Sequence, residues 1–231
     1  MLRLMVHVEG QTEESFVNEL LAPHLYEHGY SRVSARLFGN ARNRDRRGGI
    51  RGWDSARDDI IRHLAADSDC IATTMVDYYA LPQSGSREWP GRNAASTLPF
   101  EMKAPTVEAA LLADLAIRLG AQQATQRLIP YVMMHEFEGL LFSDCDAFAK
   151  GIGQQRISAS LQSVRDAFHS PEHINDSPRT APSKRVAALV PGYRKPLHGV
   201  IAALEVGLGS MRSQCVHFND WITRLEHAGS A

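Results

Sequence analysis

Short apolar runs that stop abruptly at an acidic residue recur along this chain. The first, Leu2 to Val8, ends at Glu9-Gly10 and reads as a buried strand leaving a sheet through a tight turn. A helix should follow. Thr12 is placed to cap it, Glu13 and Glu14 fall in the first turn where the helix dipole favours acids, and Phe16, Leu20, Leu21 and Leu25 form an apolar stripe up to Gly29. Arg32 to Phe38 alternates like a second strand, and Gly39 to Gly52 is a polar loop. Ile60, Ile61 and Leu64 mark a helix within Asp54 to Ala66, after which the apolar run Cys70 to Val76 ends at Asp77. Leu81 to Pro105 is rich in Pro, Gly and Ser and longer than a usual connection, so it is expected to be functional or poorly ordered. Thr106 to Leu119 predicts a helix. Leu128 to Met134 predicts a strand that delivers His135-Glu136-Phe137-Glu138, with Gly139 to Phe142 turning helical. Three strands therefore end in acids.

This alternation predicts an α/β fold: a Rossmann-like parallel sheet of about four strands, built from right-handed crossovers, with helices on both faces. Beyond Lys150 the pattern is helical and looser, with Ile157 to Phe168, a Pro-rich loop from Ser170 to Ser183, and segments around Val186–Val190, Leu197–Val206 and Met211–Leu225. The expected organisation is an α/β domain over residues 1–150 and a mainly helical C-terminal extension over 151–231 packed on it. Phe218, Trp221, Ile222 and Leu225 follow helical spacing and read as core or a docking face rather than a base-stacking platform.

Ligands of parallel α/β sheets bind beyond the carboxyl ends of the strands. Glu9, Asp77 and Glu136 lie at three such ends, so they can converge although far apart in sequence. Glu13 sits four residues after Glu9 across a turn that Gly10 lets bend sharply. Hard divalent cations take oxygen ligands, and Mg2+ is typically held by a few carboxylates, water and substrate phosphate. Four acids brought close would repel one another unless a cation neutralised them. The bland alternative for each residue is a helix-dipole acid or a turn cap. His135, beside Glu136, is a general base, a metal ligand or simply a hydrogen-bonded structural residue.

These residues resemble a known superfamily. Val8-Glu9-Gly10-Gln11-Thr12-Glu13 looks like the EGxTE strand-turn-helix signature of Toprim-fold enzymes, particularly the overcoming-lysogenization-defect nucleases, and Met75-Val76-Asp77-Tyr78-Tyr79 occupies the place of the Toprim aspartate motif. His135 to Asp144, Thr180 to Arg185, Tyr193 to Lys195 and His198-Gly199 look like family 4276 of the domains of unknown function. The resemblance implies a Toprim-like fold, a Mg2+ or Mn2+ site acting on phosphodiesters of DNA or RNA, and association with an ABC-type ATPase in bacterial anti-phage defence. By position Glu9 matches the Toprim glutamate, Glu13 the second acid of the nuclease branch, and Asp77 the first aspartate of its DxD pair. The second aspartate is Tyr79 here. Either Glu136 or Glu138 replaces it, or the site holds one metal, or the protein binds without cutting. Lys184 is the candidate cation for developing phosphate charge, and Arg185 and Lys195 are candidates for contacts to the substrate backbone.

Composition refines this picture. The 231 residues carry a formal charge of -1, so any affinity for phosphate must be local rather than a global field. Of the 25 basic residues 21 are arginine, a fork suited to phosphate and also a common consequence of GC-rich coding. Arg42, Arg44, Arg46, Arg47 and Arg51 cluster in the polar loop, as a phosphate clamp or as a solvated linker. The opposing charge is expected in an acidic centre of Glu136, Glu138, Asp144 and Asp146. Cys70, Cys145 and Cys215 form no CxxC pair, the N-terminal run is too short for a signal peptide, and no apolar run has membrane length, so a cytoplasmic protein is expected. No GxxxxGK[ST] or GxGxxG occurs, so any ATP dependence would come from a partner. His24-Leu25-Tyr26-Glu27-His28 spells the inverted zinc-peptidase pattern HxxEH, but it lies at the tail of its helix and no third ligand is evident.

Overall fold

A computed structural model describes residues 1–38, 50–175 and 180–230 of the chain. Strands β1 (Arg3–Val8), β2 (Arg32–Leu37) and β3 (Cys70–Asp77) pair in parallel in the order β2-β1-β3. Two short strands, β4 (Leu128–Ile129) and β5 (Val132–Met133), add in parallel to the free side of β3 and complete a five-stranded sheet. The expected α/β class, parallel pairing and near-continuous burial of the central strand are all present. β3 reads Cys-Ile-Ala-Thr-Thr-Met-Val with every one of those side chains buried, as a strand covered on both faces requires.

Pro130 divides the strand expected over Leu128 to Met134. It has no N–H to give to the ladder. The bonds are made up by side chains: the Tyr131 N–H donates to Thr74 Oγ (3.0 Å) and the Val132 N–H to Glu108 Oε1 (2.8 Å).

One face of the sheet is covered by a helix that starts as α1 (Gln11–Phe16), passes through a π-helical turn at Val17–Leu21 and ends as α2 (Ala22–Tyr26). The other face carries α3 (Trp53–Ala66), α4 (Phe100–Leu119) and α5 (Ala121–Arg127). α4 begins six residues before the expected Thr106. Pro105 costs it one hydrogen bond near its start, while Ala104, Val107, Leu111 and Leu115 bury one face. The segment leading into it is ordered. Trp89 is fully buried with its indole donating to the Arg51 carbonyl (2.7 Å), and Arg92 stacks over the Tyr78 ring at 3.9 Å while donating to the Tyr78 carbonyl.

The chain then returns to the first face through α6 (Glu138–Leu141), α7 (Cys145–Gly151), α8 (Ser158–Asp166), α9 (Pro182–Leu189), α10 (Lys195–Gln214) and α11 (Val216–Ser230). Gly207, at φ 73°, interrupts α10 in a left-handed conformation that costs only glycine nothing. Phe218, Trp221, Ile222 and Leu225 are fully buried in one apolar cluster with Leu4, Val6, Val8 and Phe16. The Trp221 indole donates to Thr73 Oγ in the middle of β3 (2.9 Å). All three cysteines are buried and free. Among the described residues, no helix is long and apolar enough to cross a membrane. Arg42, Arg44, Arg46 and Arg47 lie outside the described residues.

Candidate functional site

The parallel sheet delivers its strand ends to one edge, and the turns after β1, β3 and β5 open a cleft of about 510 Å³ there. Glu9, Asp77, His135, Glu136, Lys184 and Lys195 line it. Glu9 follows the last residue of β1, Asp77 closes β3, and the β1–β3 register sets Val8 opposite Met75, so the two acids leave neighbouring strands almost side by side. Glu9 Oε2 accepts a hydrogen bond from the Asp77 N–H at 3.4 Å. Glu13 lies behind Glu9 in the first turn of α1. Its Oε2 would stand 2.9 Å from a Cβ at position 10, so any larger residue there would displace the Glu13 carboxylate.

Electrostatics divide these acids into two groups. Burial pushes the Glu9 carboxyl above its ordinary range, and burial together with the Glu9 charge raises Glu13 to about 6. Burial, then Glu9 and Glu13, drive Asp77 well above the usual aspartate value. Its Oδ1 is sealed from solvent without a hydrogen-bond partner among the described residues. This cluster lacks enough positive charge to hold all its members ionised.

Glu136 is in the opposite position. Burial alone would raise it, but the Lys195 ammonium and the Ser183 N–H hold it below the ordinary carboxylate range. Lys195 Nζ donates to Glu136 Oε1 at 2.8 Å, and the Ser183 N–H, at the start of α9, donates to Oε2 at 2.9 Å. Lys195 also lies 3.3 Å from Glu138 Oε2. Burial nevertheless raises Glu138, 1 % exposed, to about 7. Burial works against the lysine charge, yet Glu138 and Glu136 hold its ammonium above the normal lysine value.

Tyr79, at the position of the expected second Toprim aspartate, is 53 % exposed at the cleft. One face of its ring stacks on His135, centroids 5.2 Å apart and planes within 7°. His135 is buried, and its Nδ1 lies 3.3 Å from the Asn175 amide nitrogen.

Glu9, Asp77, His135, Glu136 and Lys184 thus share one cleft, with Glu13 and Glu138 buried at its base, and Lys184 is exposed. Lys195, expected against a substrate backbone, is instead the counter-ion of two of the acids. Arg185 does not line the cleft; it lies over the Phe168 ring at 5.0 Å and donates to the Thr180 carbonyl. Arg51 is directed to Ser55. The expected acidic centre is smaller than its sequence suggests. Asp144 caps α7 through the Ala147 N–H, Asp146 bonds Ser158, and both line a different depression. The Ser183 N–H and Asn175 are contributions that sequence reasoning missed. For Ser183 the signal was present, because Pro182 in the first turn of α9 marks a helix start whose next N–H has no intrahelical partner.

The buried, unpartnered Asp77 oxygen and the raised acids around it suit a hard divalent cation, which takes carboxylate oxygens. A model of the family described as Domain of unknown function (DUF4276) matches residues 8–226. No curated protein and no solved structure matches the chain.

Proposed function

The chain belongs to the DUF4276 family, and from the carboxylate cleft of this member we propose a Toprim-type nuclease, hydrolysing phosphodiesters with Mg2+ or Mn2+. The observation that carries the reading is the meeting of Glu9, Asp77 and Glu136 from three separate strand ends, with exposed Lys184 beside them. Glu9, Glu13 and Asp77 would hold the cation, which supplies Lewis-acid polarisation of the phosphate and a more acidic water. The protein's own groups have separable tasks. Lys184 draws the phosphate to the cleft and offsets charge developing on it. Lys195 and the Ser183 N–H fix Glu136 in its ionised form, ready to orient water or accept a proton. The exposed Tyr79 ring offers a base-stacking surface beside the acids. In this reading an ABC-type ATPase partner supplies ATP hydrolysis, since the chain contains no phosphate-binding loop of its own, and the setting is bacterial anti-phage defence.

The test is cleavage of plasmid, linear DNA and structured RNA in Mg2+ or Mn2+ by wild type, Glu9→Ala and Asp77→Ala. Each variant is expected to lose at least about a hundred-fold in rate, the scale of removing one preorganised electrostatic contact. Equal activity in all three proteins would sink the assignment. Tyr79 in place of an acid favours one rival, a non-catalytic Toprim-like adaptor that binds an ATPase or a nucleic-acid end. Calorimetry separates them, since the adaptor takes up no Mg2+ at millimolar concentration in a manner that depends on Glu9 and Asp77.

A further inference from the structure

On the far side of the first helix the structure supplies what the HxxEH pattern lacked. His24 and His28 converge on Glu226 of α11, 202 residues beyond His24, and one ligand atom from each lies within 4.8 Å of the others. Glu226 Oε1 stands 2.6 Å from His24 Nε2 and 3.7 Å from His28 Nε2.

The hydrogen bonds define what these atoms are. His28 Nδ1 lies 2.9 Å from the His24 carbonyl oxygen, which can only accept, so Nδ1 carries the proton. In the neutral ring Nε2 is then a bare lone pair directed at a carboxylate oxygen, acceptor against acceptor. A positive centre resolves the contact, either a second proton on the imidazole or a metal ion that takes both the nitrogen and Oε1, the oxygen that Arg212 Nη1 also bonds. Imidazole and carboxylate together suit zinc and its neighbours, and a bond from Nδ1–H to a backbone carbonyl is the usual support that orients a metal-binding histidine. Arg212 grips Glu226 through both terminal nitrogens and fixes its orientation. Zinc bonds of about 2.0 to 2.1 Å at tetrahedral angles place ligand atoms about 3.3 Å apart, so on metal binding the His24 and Glu226 atoms, hydrogen-bonded at 2.6 Å, open by about 0.7 Å and the His28 and Glu226 atoms, at 3.7 Å, close by about 0.4 Å. The three side chains are 14 to 32 % exposed, which leaves a fourth position for water.

We propose that His24, His28 and Glu226 form a zinc-type transition-metal site that clips the C-terminal helix to the end of the first helix. The clip is distinct from the carboxylate cleft in both ligands and preferred ion. It fastens the helix whose Trp221 bonds Thr73, four residues before Asp77 on β3. Because Arg212 already balances the carboxylate, the affinity expected is about micromolar, weaker than closed structural zinc sites.

The test uses the full chain, stripped with EDTA and desalted, and titrates Co2+ by visible absorption and Zn2+ by calorimetry. Wild type is expected to show the intense visible bands of one Co2+ in a four-coordinate, nitrogen-containing site, distinct from the weakly absorbing, oxygen-ligated Co2+ that the carboxylate cleft would take. His28→Gln and His24→Gln should each weaken binding at least ten-fold, while Asp77→Asn, in the other site, leaves it unchanged. In an Asp77→Asn background, which impairs the carboxylate cleft, zinc at a hundred-fold excess over its dissociation constant should raise the melting temperature by about 5 to 10 °C, and this rise should vanish when His28→Gln is added. His28→Gln disturbs the metal-free fold least, because its Nε2 makes no close bond, and a melt in EDTA checks that it matches wild type. Absence of the bands in wild type, their persistence in a correctly melting His28→Gln, or their loss in Asp77→Asn would each overturn the proposal.

Discussion

Replacing Glu138 by Gln removes a buried ionisable group whose cost varies with pH. Glu138 is 1 % exposed, and burial raises its carboxyl from 4.5 to about 7 despite Lys195 at 3.3 Å. Between those values the folded protein holds a proton that the unfolded chain releases, so the contribution of Glu138 to stability is fully present below pH 4.5 and is lost as pH rises to about 7. Raising the carboxyl from 4.5 to about 7 amounts to about 3 kcal/mol. Glu138→Gln cannot ionise and keeps almost the same volume. Urea unfolding of both proteins in EDTA at pH 5, 6, 7 and 8 reads this group together with its coupling to Lys195 and Glu136, since titrations remote from it are common to both. The stability of the variant relative to wild type should climb by about 2.5 kcal/mol from pH 5 to pH 8, with most of the rise below pH 7. A difference that stays flat within about 1 kcal/mol would show that Glu138 is not buried as an unwanted charge.

The other acids predict how metal and pH act together: since Glu9, Glu13 and Asp77 all resist ionisation, Mg2+ or Mn2+ should raise the melting temperature more at pH 8 than at pH 5.5, and an equal rise at both would count against ligation by these carboxylates. Lys195→Met leaves Glu136 and Glu138 without their ammonium; because Lys195 is 43 % exposed the loss is discounted to about 1 to 2 kcal/mol at pH 8, shrinking at pH 5 as Glu138 takes up a proton, and urea melts at the two values read the difference. His7 is buried beside Phe38 with neither ring nitrogen bonded among the described residues, and burial followed by the His63 charge lowers it to about 3. Protonation therefore favours the unfolded chain, and stability falls as pH drops from 6.5 towards 3; His7→Leu should flatten that acid limb in urea melts, and an unchanged limb would refute the assignment.

The sequence was most informative where a local pattern is enough. β1, β2 and β3 and the helix α3 stand where their apolar periodicities place them, most firmly β3, whose burial on both faces leaves little freedom in composition. It was least informative where distant groups repair a local fault. The break at Pro130 is visible in the sequence, but its repair by Thr74 and Glu108 depends on the packing of β3 and α4. The same distinction runs through the cleft. Glu9, Asp77 and Glu136 could be nominated because parallel topology sends successive strand ends to one edge. Lys195 as counter-ion, the Ser183 N–H and the meeting of Glu226 with His24 all arise from how the helices after residue 180 dock, which periodicity does not encode. Asp144 and Asp146 lie near Glu136 in sequence but apart from it in space, because α6 and α7 carry the chain away from the edge.

The formal charge of -1 conceals an uneven local balance. Five carboxylates, Glu9, Glu13, Asp77, Glu136 and Glu138, gather at the sheet edge, and among the described residues a single ammonium, Lys195, is bonded to them and lies against two of the five. If burial alone raised these groups, all five would be displaced alike. They are not: Glu136, with the lysine and a helix N–H on its two oxygens, falls below its ordinary value, while the other four rise. The deficit of positive charge is therefore concentrated around Glu9, Glu13 and Asp77, where Asp77 Oδ1 also lacks a partner among the described residues. A fold that only needed a filled core would gain by replacing such a set with apolar side chains. The cost is explained if the deficit is made good by something the protein binds, and a divalent cation bridging to a phosphate supplies charge at that point while leaving the pair of Glu136 and Lys195 intact.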